Sequence, residues 1–333
     1  MSTVVALILW FAITTYVVLG GADYGAGFWD LTAGDAKRGA RPRALIDRAM
    51  APVWEANNVW LIFALVVLWT GFPKAFAAIM STLFVPLSLA AAGIVLRGCA
   101  FVFRKPIRAL TGQRRFGVFA LSSVLTPFFL GTAFGAIASG RVRAGDPGGD
   151  PLAAWIGPTP LLIGLLAVLC SAFMAAVFLV YDARRMKEEA LELYFRQRAI
   201  STAMATGVVA VVGLFVLRGD APYVFHGLMR NSLPFMLLSA LCGVGIVVQL
   251  ALRITRGTRA LAVCAVVALM AGWGAAQYPY LLPTSLTFDV GAGAPGTLTW
   301  VIVVTGLAVV TVVPALALLW VLDQRGRLLE GDN

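Results

Sequence analysis

Apolar runs of about 20 residues recur from one end of this chain to the other, each long enough to cross a bilayer. Hydrocarbon offers no water to a free backbone N–H or C=O, so such a run must fold as a helix or join a closed barrel. No stretch has the alternating period of a barrel strand. The residues are 60% hydrophobic and only 13% charged, against roughly 25% charged in a soluble domain. An all-α polytopic membrane protein follows, a single integral-membrane domain over 1–333 with no segment suited to a soluble domain. Nine spans are predicted, over 3–29, 51–72, 76–103, 117–140, 159–181, 199–217, 232–252, 260–278 and 298–321. The first lacks a basic leader and a small-residue cleavage site, so it reads as a retained helix.

The net charge of +10 is explained by its placement. Lys37, Arg38, Arg41, Arg43 and Arg48 follow the first span, and Arg104, Lys105, Arg108, Arg114 and Arg115 follow the third. Arg184, Arg185, Lys187, Arg196 and Arg198 follow the fifth, Arg253, Arg256 and Arg259 the seventh, and Arg325 and Arg327 lie in the tail. The opposite side holds Lys74, Arg141, Arg143, Arg218 and Arg230. The positive-inside rule puts the N-terminus outside and the C-terminus in the cytoplasm. The charge therefore reads as topology, with anionic lipid headgroups as its contact and no nucleic acid.

Cys99, Cys170, Cys242 and Cys264 fall within predicted spans with no CxxC pair, which argues for small buried hydrophobes. His226, the one histidine, lies in an outer loop. One imidazole cannot give the bis-histidine ligation common for membrane haems, and no metal site is predicted. The Gly- and Pro-bearing stretches 141–158, 218–231 and 279–297 read as surface loops, and 182–198 as a solvated helix extension.

Two acids stand out against this background. Asp23 lies in Gly20-Gly21-Ala22-Asp23-Tyr24-Gly25-Ala26-Gly27 and Glu55 in Pro52-Val53-Trp54-Glu55-Ala56-Asn57-Asn58-Val59-Trp60. An ionisable group at the centre of a membrane helix costs roughly 2.5–3.5 kcal/mol on insertion scales, so such groups face protein or water and mark proton or ion pathways. Asp23 lies about 9 Å short of the cytoplasmic end of the first span at 1.5 Å per residue. Glu55 opens the second span from the same side, and Arg97 is about seven residues short of the end of the third. Three ionisable groups at one depth are best accommodated facing one another, with Arg97 offsetting carboxylate charge. Asn57 and Asn58 add amides able to hold water. Gly21, Gly25 and Gly27 leave room for close helix approach. Trp54 and Trp60 read either as packing around the cluster or as interfacial anchors. A proton or ion path, a buried ion pair that joins helices, and a polar contact to a headgroup or quinone are all open on these residues alone.

At these residues the chain resembles subunit II of the cytochrome bd-type quinol oxidases. Gly21 to Gly27 is similar to the family's first-span signature, Ala51 to Leu61 to its second, and Arg97 in Leu96-Arg97-Gly98 matches its third-span arginine. Tyr278-Pro279-Tyr280-Leu281-Leu282-Pro283, followed by Leu298-Thr299-Trp300, resembles the last outer loop and ninth span. The resemblance implies a multi-pass subunit of a respiratory oxidase in the bacterial cytoplasmic membrane. The complex would oxidise quinol and reduce dioxygen to water. Subunit I, the implied partner, would carry two b-type haems, one d-type haem and the quinol site. This chain would bind none of them through ligands of its own, and would support subunit I and offer a cytoplasmic proton path through Glu55 and Asp23. A bound quinone and a small single-span subunit are further candidates for ligand and partner. The chain departs from some members in having no acid three residues before Asp23. The rival readings are a secondary transporter or ion channel, whose broken midplane helices and inverted repeats are not visible here, and a purely structural scaffold.

Overall fold

The computed structural model describes residues 1–35, 37–50, 54–111, 117–145 and 152–324; for Met50, 54–56, 101–111, 117–120 and parts of 313–324 it describes the backbone only. Thirteen helices and one two-stranded hairpin make up these residues. The helices are α1 Ser2–Leu31, α2 Ala40–Met50, α3 Trp54–Gly71, α4 Pro73–Thr82, α5 Phe84–Thr111, α6 Gly117–Ala138, α7 Pro158–Arg185, α8 Glu189–Asp220, α9 Pro222–Arg230, α10 Leu233–Ala251, α11 Thr258–Gln277, α12 Phe288–Gly291 and α13 Pro295–Gln324. Strands β1 (Tyr280–Leu282) and β2 (Leu286–Thr287) pair antiparallel between α11 and α12.

Seven of these helices are long and apolar enough to cross a membrane among the described residues, and an eighth span results if the bent α3–α4 pair is taken as one. The predicted third span is not one helix. It is divided between α4 and α5 at Leu83, and α4 turns 118° away from α3. Prolines account for both breaks. Pro73 starts α4, where its missing N–H costs nothing. Pro86 stands in the first turn of α5, and deeper in a continuous helix its ring would clash with the carbonyl four residues before it.

Two stretches read as irregular carry structure. The basic segment after α1 contains α2, which buries Leu45 and Ile46 against α1 and α7 while Arg41 and Arg48 stay exposed. The predicted outer loops hold α9 and the β-hairpin, so the molecule is not wholly α. The helix extension at 182–198 is present, interrupted at 186–188, where Lys187 takes φ 58°.

Helix α1 lies against α3, α6 and α7, and α7 in turn against α6 and α8. Contact is by small residues. A Cβ on Gly25 would collide with the Ser171 carbonyl of α7, so α1 and α7 meet backbone to backbone. One core cluster gathers the C-terminal half of α1 with α2, α7, α8, α10 and α11. A second gathers its N-terminal half with α3, α4, α6, the hairpin and the start of α13. The helices α8, α10 and α13 bury little, and Phe215, Leu241, Trp300, Leu307 and Val310 point outward.

Candidate functional site

The site is built on the C-terminal half of α1. Arg97 from α5 is 4% exposed and reaches across to Asp23, donating from Nη2 to Oδ1 at 2.7 Å and to the Asp23 backbone carbonyl at 2.9 Å. Its Nη1 donates to the Ser123 hydroxyl of α6. The guanidinium also lies 4.9 Å from the centre of the Tyr24 ring, over its face. One side chain thus ties three helices together. A charge-assisted pair is the form in which these groups can stay ionised away from water, because each supplies the solvation the other has lost.

Gly27 makes this approach possible. A Cβ there would strike Ser123 and stand 3.0 Å from Arg97 Nη1. Higher on α1, the Tyr24 hydroxyl meets the Tyr16 hydroxyl at 3.2 Å, and both rings are buried. Gly20 sits beneath the Tyr16 ring, and Gly21 faces Ser171 with ordinary clearance.

From α3, the buried Asn57 donates Nδ2 to the Leu19 carbonyl at 3.3 Å, and its Oδ1 has no protein partner. A buried carbonyl oxygen of this kind is a natural anchor for a water molecule. Asn58 is half-buried. Trp60 makes its ring contacts with Phe11 at 5.8 Å and Phe63 at 6.3 Å; Phe11 is about 18 Å along α1 from Asp23. The side chains of Glu55 and Trp54 lie outside the described residues. Of the residues singled out in the sequence, the fold brings Asp23, Arg97 and Gly27 into contact.

Sequence reasoning missed Ser123, Tyr24 and Tyr16. Hydroxyls are cheap in an apolar helix, where they can bond back to the preceding turn, so Ser123 carries no signal on its own. It also missed a second buried pair. The Asp30 side chain, 1% exposed, accepts from Arg43 Nε of α2 at 3.1 Å. Arg43 further donates to the carbonyls of Asp30, Asp35 and Gly34. Asp30 is the last residue but one of α1, where a carboxylate passes for a surface residue. Two other arginine–aspartate pairs, Arg141–Asp220 and Arg259–Asp182, lie at helix ends and are partly exposed.

Among the described residues, no three His, Cys, Asp or Glu side chains converge as a metal site. The His226 Nδ1 is 2.6 Å from the Pro222 carbonyl one turn back on α9. With one histidine in its sequence, this chain has no second imidazole to pair with His226 on a haem.

Fold and site together define a polytopic helical membrane protein with a buried carboxylate–guanidinium cluster clamped between three helices. The family model for cytochrome bd terminal oxidase subunit II matches residues 1–323, and the chain belongs to that family. The cytochrome bd-I ubiquinol oxidase subunit 2 of Escherichia coli is 28% identical over 227 residues, 65% of this chain and 57% of that one. A provisionally named cytochrome bd menaquinol oxidase subunit II of Bacillus subtilis is 23% identical over 232 residues, 67% of this chain and 64% of that one. The chain thus spans less than two thirds of the length of these relatives. A solved structure of bd oxidase from Geobacillus thermodenitrificans shares the fold, with a TM-score of 0.77, 24% identity, and coverage of 97% of this chain and 98% of the other.

Proposed function

We propose that this chain is the haem-free subunit II of a quinol:oxygen oxidoreductase of the bacterial cytoplasmic membrane. In this reading it forms one integral-membrane unit with nine spans, its N-terminus outside and its C-terminus in the cytoplasm. Counting the bent α3–α4 pair and α5 with the seven long apolar helices supports nine. The placement of Lys and Arg supports the orientation. Two b-type haems, one d-type haem and the site of quinol oxidation are assigned to subunit I, and when bound the haems supply the electron transfer and oxygen reduction. A small single-span subunit, membrane lipid and a bound quinone complete the proposed set of partners.

This chain's own part is to hold and move protons. The observation that carries this role is the Asp23–Arg97 pair, buried between three helices with the Ser123 hydroxyl as a further partner. Protons would be taken from the cytoplasm by Glu55 and Asp23, and Asn57 and Asn58 would hold waters between them. Arg97 would offset the charge of the acids. Gly21, Gly25, Gly27, Trp54 and Trp60 would shape the surrounding space.

The test is Glu55→Gln in the complex purified with its partner, with haem spectrum and oxygen uptake measured on the same preparation. Full haem content with oxygen uptake slowed is the expected result. Unchanged uptake across pH would argue against a proton role. Loss of haem or of the partner would favour a structural scaffold, and a colourless protein that functions without a partner would favour a transporter.

A further inference from the structure

We infer that Asp30, held by Arg43, is a further acid, beside Glu55, at which protons are taken up from the cytoplasm on their way to Asp23. The inference rests on the function proposed above and supplies a further entry station of its path. Tyr16, Gly20, Asp23, Gly27 and Asp30 follow one another at spacings of four, three, four and three residues. At 3.6 residues per turn this is a single stripe along one face of α1. Asp30 and Asp23 are two turns apart on it, about 10 Å along the axis. Gly27 lies midway, and the space a side chain would fill there is occupied by the Ser123 hydroxyl and the Arg97 Nη1. Midway between the acids, α1 therefore meets a serine side chain and a guanidinium. A chain of two or three waters alongside these polar groups would span about 10 Å, and acids joined by such a chain are a usual form of intramembrane proton relay.

The surroundings of Asp30 fit a loading station. Its carboxylate is buried at the end of α1 read as cytoplasmic; among the described residues Arg43 from α2 donates to it, and Arg198 from α8 stands over the ring of the adjacent Trp29. Arg43 does not depend on the Asp30 carboxylate alone for its position, because Nη1 and Nη2 are also bonded to the backbone carbonyls of Asp35, Gly34 and Asp30. A proton arriving from water can thus bind the Asp30 carboxylate and release the Nε hydrogen bond while the guanidinium stays in place. The neutral acid then passes its proton inward over Gly27 to the Asp23 carboxylate. The Asp30 carboxylate re-forms and pairs again with Arg43, and Asp23 gives the proton up inward before it accepts the next, so charge and protons balance over the cycle.

The experiment is oxygen uptake by the intact oxidase complex carrying Asp30→Asn, beside Asp30→Glu and Asp23→Asn, with haem content and subunit ratio determined for each. Asp30→Asn is expected to slow uptake at least about tenfold at full haem content, as loss of a proton-transferring side chain does. It is also expected to raise the solvent deuterium isotope effect, and Asp30→Glu to recover most of the rate. A wild-type rate for Asp30→Asn beside a slow Asp23→Asn would overturn this inference and leave the proposed function standing. Wild-type rates for both would overturn the proposed function itself. If Asp30→Asn alone does not assemble, the double variant Asp30→Asn/Arg43→Gln removes both charges. An assembled, slow double variant supports the inference. An assembled fast one, or a failure of both to assemble, makes the pair a structural latch and overturns it.

Discussion

At Arg97 one guanidinium serves α1, α5 and α6, and its removal would leave Asp23 buried and unpaired. Breaking a buried pair from one side costs about 3–5 kcal/mol. Arg97→Ala should therefore lower the thermal midpoint of the purified complex sharply. Arg97→Lys should lower it less, because an ammonium keeps the charge but cannot span Ser123 and both Asp23 acceptors at once. Arg259→Gln breaks a pair whose side chains are 35% and 27% exposed, and solvent screening limits its effect to about 1 kcal/mol or less. Comparing the two melts separates a buried arginine from a surface one. Two glycines make a second contrast. Gly25→Ala drives a methyl into the Ser171 carbonyl, whereas at Gly21 the nearest atom to a new Cβ is 3.7 Å away. Overpacking costs typically 1–3 kcal/mol, so Gly25→Ala should reduce assembled, haem-bearing complex in membranes and Gly21→Ala should not.

The element whose role is new relative to the sequence is α2. It buries Leu45 and Ile46 to 2% and 1% exposure, and its Arg43 closes the end of α1. An apolar edge under a basic outer face is how a helix lies along a membrane surface. Truncating a buried Leu costs about 2–5 kcal/mol. Leu45→Ala should therefore detach α2 locally and speed proteolytic cleavage in the 32–39 connection, read by gel on membranes opened to the cytoplasmic side, while the α7–α8 turn at 186–188 keeps its rate. The break between α4 and α5 belongs to the same scale. Apolarity over 76–103 promised one span, but a hydropathy count does not register direction, and Pro73 and Pro86 decide where the chain turns.

For the whole molecule, the distribution of Lys and Arg sets a testable orientation. A cysteine placed at Gly219, where a side chain meets nothing within 4 Å, should react with an impermeant maleimide added to intact cells. A cysteine at Lys187, in the exposed α7–α8 turn, should react only after the membrane is opened. The native cysteines lie inside helices α5, α7, α10 and α11 and serve as the background. Helices α8, α10 and α13 present apolar faces outward, as the proposed subunit, bounded by lipid and by a partner, would require.

The sequence alone determined the helical membrane class, the placement of most helices, the basic side and the prominence of Asp23 and Arg97. Each of these rests on a property that acts within one segment: the cost of a bare peptide group in hydrocarbon, the length of a run, or the price of a lone charge. Tertiary structure alone decided that Arg97 closes on Asp23 with Ser123 as a third partner, that Trp60 turns to Phe11 and Phe63, that α2 exists as a packed helix, and that Asp30 is buried. These depend on which faces meet. A serine, a glycine or an aspartate at a helix end has the same local preferences whether it faces lipid, water or another helix, and only the packed neighbours distinguish the three.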